Sequence, residues 1–122
     1  MADYREISQT YAHGAIKAGV ILNGGAAIGV LTQVGDLVQH GMAGGIKASM
    51  AFWALGTISA AACWLAGFLS ARYVDKAARE DDARYQQNIA TSDRWMGAAI
   101  GLIVTSGFAF VAGCVAIISA IP

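Results

Sequence analysis

The chain has 122 residues, of which 57% are hydrophobic and 13% charged, and its eight basic and eight acidic side chains give a formal net charge of zero. So short and apolar a chain leaves little material for a second, water-soluble domain, and its balanced charge argues against nucleic-acid binding. Its two cysteines, Cys63 and Cys114, lie within apolar segments and indicate neither a disulfide framework nor a metal cluster.

Three long apolar stretches dominate the sequence. Residues 18–38 carry only Asp36 near their end, and residues 48–71 and 95–122 carry no Asp, Glu, Lys, Arg or His. A helix that crosses a bilayer needs about 20 such residues, and a soluble bundle would show polar outer faces that the last two stretches lack. We predict an all-α integral membrane protein, a single membrane domain with transmembrane helices at 15–38, 48–72 and 95–121.

The basic residues predict the orientation of these helices. Arg5 and Lys17 flank the start of the first span, five of the eight basic residues lie at 72–94, and only Lys47 lies between the first two spans. Lys and Arg remain on the cytoplasmic side of a membrane. The N-terminus and the segment 73–94 are therefore expected in the cytoplasm, and the turn 39–47 and the C-terminus outside.

The segment 1–14 carries Tyr4, Ile7 and Tyr11 at spacings of three and four residues, with polar residues between them. This pattern is typical of a short helix with one apolar stripe. It has two interpretations: an interfacial helix on the cytoplasmic leaflet, or an extension of the first span. In either case Lys17 lies at the membrane edge, where its long stem can reach toward the head groups.

The first span contains the two strong amide groups of the apolar stretches, Asn23 and Gln33. Gly25 and Gly29 form a GxxxG pair, which lets another helix approach closely. At about 100° per residue, one broad helix face collects both amides with small and aliphatic residues: Gly19, Asn23, Ala26, Val30 and Gln33.

The run Leu22-Asn23-Gly24-Gly25-Ala26-Ala27 resembles a first-span signature of short bacterial membrane proteins of unknown function, some of them on phage-like or mobile elements. The resemblance covers the first span. It implies a bacterial inner-membrane location and a phage-related role, either as a defence effector that permeabilises the membrane or as a lysis component.

The second span places Trp53 and Tyr73 at its two ends, as the aromatic belts of a bilayer favour. Beyond it, the helical pattern is expected to continue into the cytoplasm, with Asp75–Arg79 and Glu80–Arg84 as acid-before-base pairs four residues apart. A stripe of small residues recurs every four positions and predicts close packing: Ser59, Cys63, Gly67 and Ala71.

Capping side chains at Thr91, Ser92 and Asp93 predict that a helix begins just before Trp95. Within the third span, five small residues repeat at four-residue spacing and predict a helix contact: Gly97, Gly101, Thr105, Ala109 and Gly113.

Residues that carry catalysis are missing from the spans. His13 and His40 are expected at opposite membrane faces, so they cannot share a haem or a metal ion. No HExxH, GxSxG or GxxxxGK[ST] motif occurs, and acidic or basic relay groups are missing from the spans. We therefore expect no enzymatic activity, no cofactor and no metal.

The small-residue stripes predict a homo-oligomer, because three helices in one chain cannot bury all of them. In a ring of subunits, Asn23 and Gln33 could line an ion-conducting or membrane-permeabilising pore with Lys17 near its cytoplasmic mouth. One alternative is a scaffold or accessory subunit of a larger membrane complex, in which the amides bond across a dry helix interface. A second is a holin-like lysis protein, although the predicted orientation and the uncharged C-terminus differ from the familiar three-span holins.

Overall fold

The computed structural model describes residues 4–79 and 82–122, and these form four helices. Three are long, namely α1 (Tyr4–Thr32), α3 (Ala43–Arg79) and α4 (Asp82–Ser119), and one is short, α2 (Val34–Gln39). The all-α fold is thus confirmed. The three long helices are each long and apolar enough to cross a membrane, which is the signature of a multi-pass membrane protein.

α1 differs from the predicted first span at both ends. It runs without interruption from Tyr4, which matches the helical extension rather than a separate interfacial helix. It ends at Thr32, six residues before the predicted end of the span at Val38. The N–H of Gln33 donates to the carbonyl of Val30, 3.0 Å away, so the last turn tightens to an i→i−3 bond, as helix ends commonly do.

A tight reversal joins α2 to α3. Gly41 has a φ of +79°, in the left-handed region that glycine enters without steric cost. The Gly41 N–H donates to the carbonyl of Val38 at 3.0 Å, and the Met42 N–H donates to that of Leu37 at 3.0 Å. The non-helical connection is therefore 40–42, shorter than the predicted turn at 39–47.

The predicted helix start at Thr91, Ser92 and Asp93 is wrong, because all three residues lie inside α4, which begins at Asp82. Hydropathy marks where a helix enters an apolar medium and not where it begins. The polar stretch before Trp95 is rich in Ala, Arg and Gln, which are good helix formers, so the helix extends through it.

α3 and α4 form a long antiparallel hairpin. With 37 and 38 residues, each measures about 55 Å, against about 30 Å of hydrocarbon in a bilayer. Buried small residues recur every seven positions along the contact, on α3 at Ser49, Gly56, Cys63, Ser70 and Ala77, and on α4 at Ser92, Ala99, Ser106 and Gly113. A seven-residue repeat keeps the same side of each helix turned toward its partner.

α1 lies against both helices of the hairpin. Ile16 packs on the apolar cluster that Cys63, Ala66 and Ala99 form between α3 and α4. Only 6% of the most apolar part of α1 is buried, compared with 33% for α3, so α1 is the least enclosed of the three long helices. The outer surface of the bundle carries large exposed apolar side chains, among them Ile21, Ile28, Trp64, Phe68 and Phe108.

Candidate functional site

The polar centre of the bundle is Asn23, whose side chain is fully buried where the three long helices meet. Its Nδ2 donates to the carbonyl of Gly19 at 2.8 Å, within α1. The same group reaches α4, where the backbone carbonyl and the hydroxyl of Ser106 accept at 3.3 and 3.2 Å. Asn23 therefore ties α1 to the hairpin through a buried hydrogen-bonded network.

Two glycines make room for this network. A β-carbon on Gly56 of α3 would overlap the Asn23 side chain. A β-carbon on Gly19 would lie 2.8 Å from the Ser106 hydroxyl and 3.0 Å from the Ala60 β-carbon. The centre is thus built from a residue without a side chain on α1, another on α3, and a serine on α4.

The side-chain oxygen of Asn23 has no hydrogen-bond partner among the described residues. It lies over Gly56, close to where a β-carbon would be. An unpaired buried acceptor costs free energy in an apolar medium. The amide is held in place by the hydrogen bonds of its Nδ2 and by its close packing on Gly56.

A second contact fastens the hairpin toward the α2 end of the bundle. Trp53 of α3 is 2% exposed, and its indole N–H donates to the carbonyl of Phe110 at 3.2 Å. The indole lies directly on Gly113, where a β-carbon would overlap the ring. The large indole of Trp53 on α3 and Gly113 on α4 together fill the space between the two helices.

A third contact fastens the other end of the interface between α3 and α4, which we call the seam. Ser70 and Ser92 are both buried, and their hydroxyls lie 3.0 Å apart. The Ser70 hydroxyl is 3.0 Å from the Ser92 carbonyl, and the Ser92 hydroxyl is 3.0 Å from the Ser70 carbonyl. The two serines thus form a reciprocal pair that satisfies buried polar groups on both helices.

The polar residues predicted to share a lumen do not lie together. Asn23 is buried at the bundle centre, whereas Lys17 and Gln33 are exposed. Gly19, Ala26 and Val30 are all at least half-buried, on the side that Asn23 turns toward the hairpin. Gln33 leaves this face because α1 ends at Thr32. A pore lined by Asn23 would require α1 to give up its contacts with α3 and α4.

The predicted packing glycines divide into two groups. Gly113 is closed in by Trp53, but no atom from elsewhere in the described chain lies within 4 Å of a β-carbon position on Gly25, Gly29, Gly97 or Gly101. Thr105 is likewise exposed, and its hydroxyl donates to the Gly101 carbonyl at 2.8 Å. Residues four apart advance about 40° around a helix at each step, so a five-member series cannot stay on one face.

Sequence reasoning missed the seven-residue series and with it Ser106, Gly56 and the pairing of Ser70 with Ser92. The signal was present as small residues at matching spacing in the last two spans.

Of the two predicted ion pairs, Asp75–Arg79 is confirmed, with a nitrogen–oxygen distance of 2.6 Å. The predicted pair Glu80–Arg84 includes Glu80, which lies outside the described residues.

The buried polar groups of the described residues are serine hydroxyls, the amides of Asn23 and Asn88, and the indole of Trp53. None of these groups exchanges protons near neutral pH. Within residues 4–79 and 82–122, no three His, Cys, Asp or Glu side chains are grouped as a metal site would require. Comparison with protein families, with curated proteins and with solved structures finds no match to this chain.

Proposed function

We propose that this chain is a non-enzymatic membrane protein of the bacterial inner membrane, which works as a homo-oligomeric scaffold within a larger membrane assembly. Each copy is a three-helix unit closed around Asn23. The distribution of basic residues favours a cytoplasmic N-terminus and a cytoplasmic α3–α4 tip. Its direct partners are the lipid bilayer, further copies of itself and other membrane subunits.

One observation carries this proposal, namely that only some of the helical glycines are packed against another part of the chain. Contacts within the chain close in Gly19, Gly45, Gly56 and Gly113. Others in the apolar part of the helices have open space above them: Gly24, Gly25, Gly29, Gly67, Gly97, Gly101 and Gly107. Both sets occur in the same three long helices. A general preference for glycine in membrane helices therefore does not explain why one set is packed and the other is open.

Open glycines are costly unless another helix uses them. Gly in a helix interior is about 1 kcal/mol less favourable than Ala. A helix that packs on Gly25 and Gly29 recovers this cost, because the backbones approach closely and gain van der Waals contact. α1, the least buried of the long helices, therefore offers the surface best suited to a second copy.

The buried position of Asn23 supports a scaffold over a pore lined by this residue. Its amide already bonds to Gly19 and Ser106, and burial leaves it no contact with solvent. This is the arrangement expected of an amide that joins helices across a dry interface.

A pore between copies is the second candidate, and the exposed stripe of α4 favours it. Gly97, Gly101 and Thr105 are exposed on α4, and small residues with a hydroxyl could line a narrow conduit in a ring of subunits. Such a conduit would suit a membrane-permeabilising role of the phage-defence or holin type.

The oligomeric state tests the scaffold. The full chain is reconstituted in nanodiscs, and its mass is measured for the unmodified protein, Gly29→Leu and Ala18→Leu. Both changes place a large side chain at an exposed position of α1, but only Gly29 belongs to the GxxxG pair. We expect a defined oligomer that Gly29→Leu dissociates and Ala18→Leu preserves. A monomeric unmodified protein would refute the proposal.

Conductance across planar bilayers separates the two candidates. A scaffold gives no discrete currents. A pore between copies gives currents that Thr105→Leu abolishes, and a pore lined by α1 gives currents that Asn23→Leu abolishes while the oligomer stays intact.

A further inference from the structure

The packing of α1 on the hairpin sets the level of Lys17 along the bundle. Ile16, its neighbour in sequence, packs on the apolar cluster that includes Cys63 of α3 and Ala99 of α4. Lys17 is itself exposed. It therefore lies on the outer surface of the bundle, at about the level of Cys63 and Ala99.

This level is inside the apolar segments of the hairpin. From Cys63, α3 continues for nine residues before its next charge, Arg72, and Arg94 precedes Ala99 on α4 by five residues. These separations measure about 14 and 8 Å along a helix. In a chain that spans the bilayer, Lys17 thus lies inside the apolar layer and not at its edge, where the sequence of the first span alone would place it.

The length of α1 leads to the same conclusion. Its uncharged part, 18–32, has 15 residues and measures about 22 Å, less than the hydrocarbon thickness of about 30 Å. Asn23 lies over Gly56, α1 ends nine residues after Asn23, and Lys47 precedes Gly56 by nine residues. The two helices therefore reach the α2 side together, and the missing length is at the Lys17 end.

Lys17 has no hydrogen-bond or ion-pair partner among the residues that the structure describes. Tyr4, where α1 begins, is about 20 Å away along the helix, and Arg79, where α3 ends, is about 24 Å beyond the level of Cys63. The acidic residues that adjoin these two positions in sequence are therefore out of reach. The positive charge of Lys17 is not neutralised within its own chain.

A charge at this depth requires a partner. Ionisable side chains are costly inside a bilayer, and those that occur there pair with one another or mark functional sites. The lysine stem leans toward the N-terminus of its helix but spans only about 6 Å when extended. It shortens the distance of about 8 to 14 Å to the level of the hairpin charges without closing it.

A second copy does not supply the opposite charge. At this depth it presents the segments 48–71 and 95–122, which carry no acidic residue, and its own Lys17 would repel the first. At about 100° per residue, Asn23 and Gly29 lie about 120° to either side of Lys17 around α1. Lys17 therefore occupies a face separate from the one that packs on the hairpin and from the glycines proposed to contact another copy.

We propose that the face of α1 around Lys17 docks a membrane-spanning helix of a different protein, which carries an aspartate or glutamate at the same depth. His13 is exposed four residues away on the same side of α1, and its ring N–H can donate to the same carboxylate. Pairing removes the cost of both buried charges. This inference deepens the proposed function, since it gives the chemistry of one further membrane subunit.

Binding of a designed transmembrane peptide tests the site. The full chain is reconstituted in phosphatidylcholine vesicles with a leucine-rich peptide that carries one Asp about 10 Å inside its cytoplasmic end, and energy transfer between labels measures binding. A peptide with Asn in place of Asp keeps the hydrogen bonding without the charge. The unmodified protein is compared with Lys17→Met. Lys47→Met is the matched control, because it removes an exposed lysine at the opposite end of the bundle, and circular dichroism confirms that each variant is helical.

We expect the unmodified protein and Lys47→Met to bind the Asp peptide about fivefold more tightly than the Asn peptide, and Lys17→Met to bind both alike. Equal binding of the two peptides by the unmodified protein would overturn the site and assign Lys17 to lipid head groups. A preference that survives in Lys17→Met would also overturn it. A monomeric protein that prefers the Asp peptide would refute the homo-oligomeric scaffold alone, whereas a defined oligomer without this preference would refute the Lys17 site alone.

Discussion

The side-chain oxygen of Asn23 lies close to the position that a β-carbon would take on Gly56. The two residues belong to α1 and α3, so the amide can enter the bundle only because the facing helix carries no side chain at that point. The nitrogen of the same amide bonds to Ser106 on α4. Three helices are thereby joined by one polar side chain and one glycine.

Gly56→Ala is expected to lower the free energy of unfolding by about 2 kcal/mol, since the added methyl group displaces Asn23 from a filled site. Gly67→Ala is the control, because its β-carbon would meet no atom from elsewhere in the described chain. The control should be neutral or should stabilise by up to about 1 kcal/mol through helix propensity. Reversible unfolding in mixed detergent micelles measures both, and equal effects would contradict the structure.

The bond between Asn23 and the Ser106 hydroxyl can be measured with a double-mutant cycle. Asn23→Ala, Ser106→Ala and the double variant should give a coupling energy of about 0.6 kcal/mol, the typical value for hydrogen bonds between membrane helices. Each alanine removes one side-chain partner, although the Ser106 carbonyl stays available to Asn23. A coupling energy indistinguishable from zero would show that the two side chains do not interact.

Tryptophan fluorescence distinguishes the inside of the bundle from its lipid-facing surface. Trp64 is 63% exposed in the middle of the α3 span, whereas Trp53 is 2% exposed. In single-tryptophan variants reconstituted with brominated lipids, Trp64 should be quenched strongly and Trp53 weakly, because bromine quenches through close approach. Similar quenching of both residues would contradict the packing of Trp53 on Gly113.

A disulfide between positions 70 and 92 should form readily. The hydroxyls of Ser70 and Ser92 are 3.0 Å apart, which places the two side chains within the reach of a disulfide. Ser70→Cys with Ser92→Cys, in a chain with Cys63 and Cys114 replaced by alanine, should oxidise within one polypeptide, as mass spectrometry detects. Ser70→Cys with Asp93→Cys is the control, since Asp93 is exposed, and equal oxidation of both pairs would contradict the seam.

The number and type of the long helices were predictable because hydrophobic length is a strong signal. Their ends were less so. Gln33 interrupts a run that hydropathy reads as continuous, and Thr91 to Asp93 look like a cap although they lie within α4. Capping residues and apolar runs are local signals, whereas a helix end also depends on the helices that pack beside it.

The centre of the bundle was predicted only in part. Asn23 stood out as an amide in an apolar run, and its interhelical role was one of two interpretations. Its partner Ser106 carries no local mark, because one serine in a span is common. Only the antiparallel pairing of α3 with α4 brings Ser106 to the Asn23 side chain that lies over Gly56, and this pairing is a property of the whole fold.

The regular spacing of the small residues along α3 and α4 leaves several alignments of the hairpin nearly equivalent. If α4 moved by one seven-residue step, Ser70 would meet Ala99 and Gly56 would meet Gly113, and small residues would still face small residues. Two contacts outside the repeat favour the observed alignment. In the shifted one, Asn23 would lose the Ser106 hydroxyl and the indole of Trp53 would lose Gly113. The amide and the indole therefore fix the alignment of the helices, as single buried polar residues do in coiled coils.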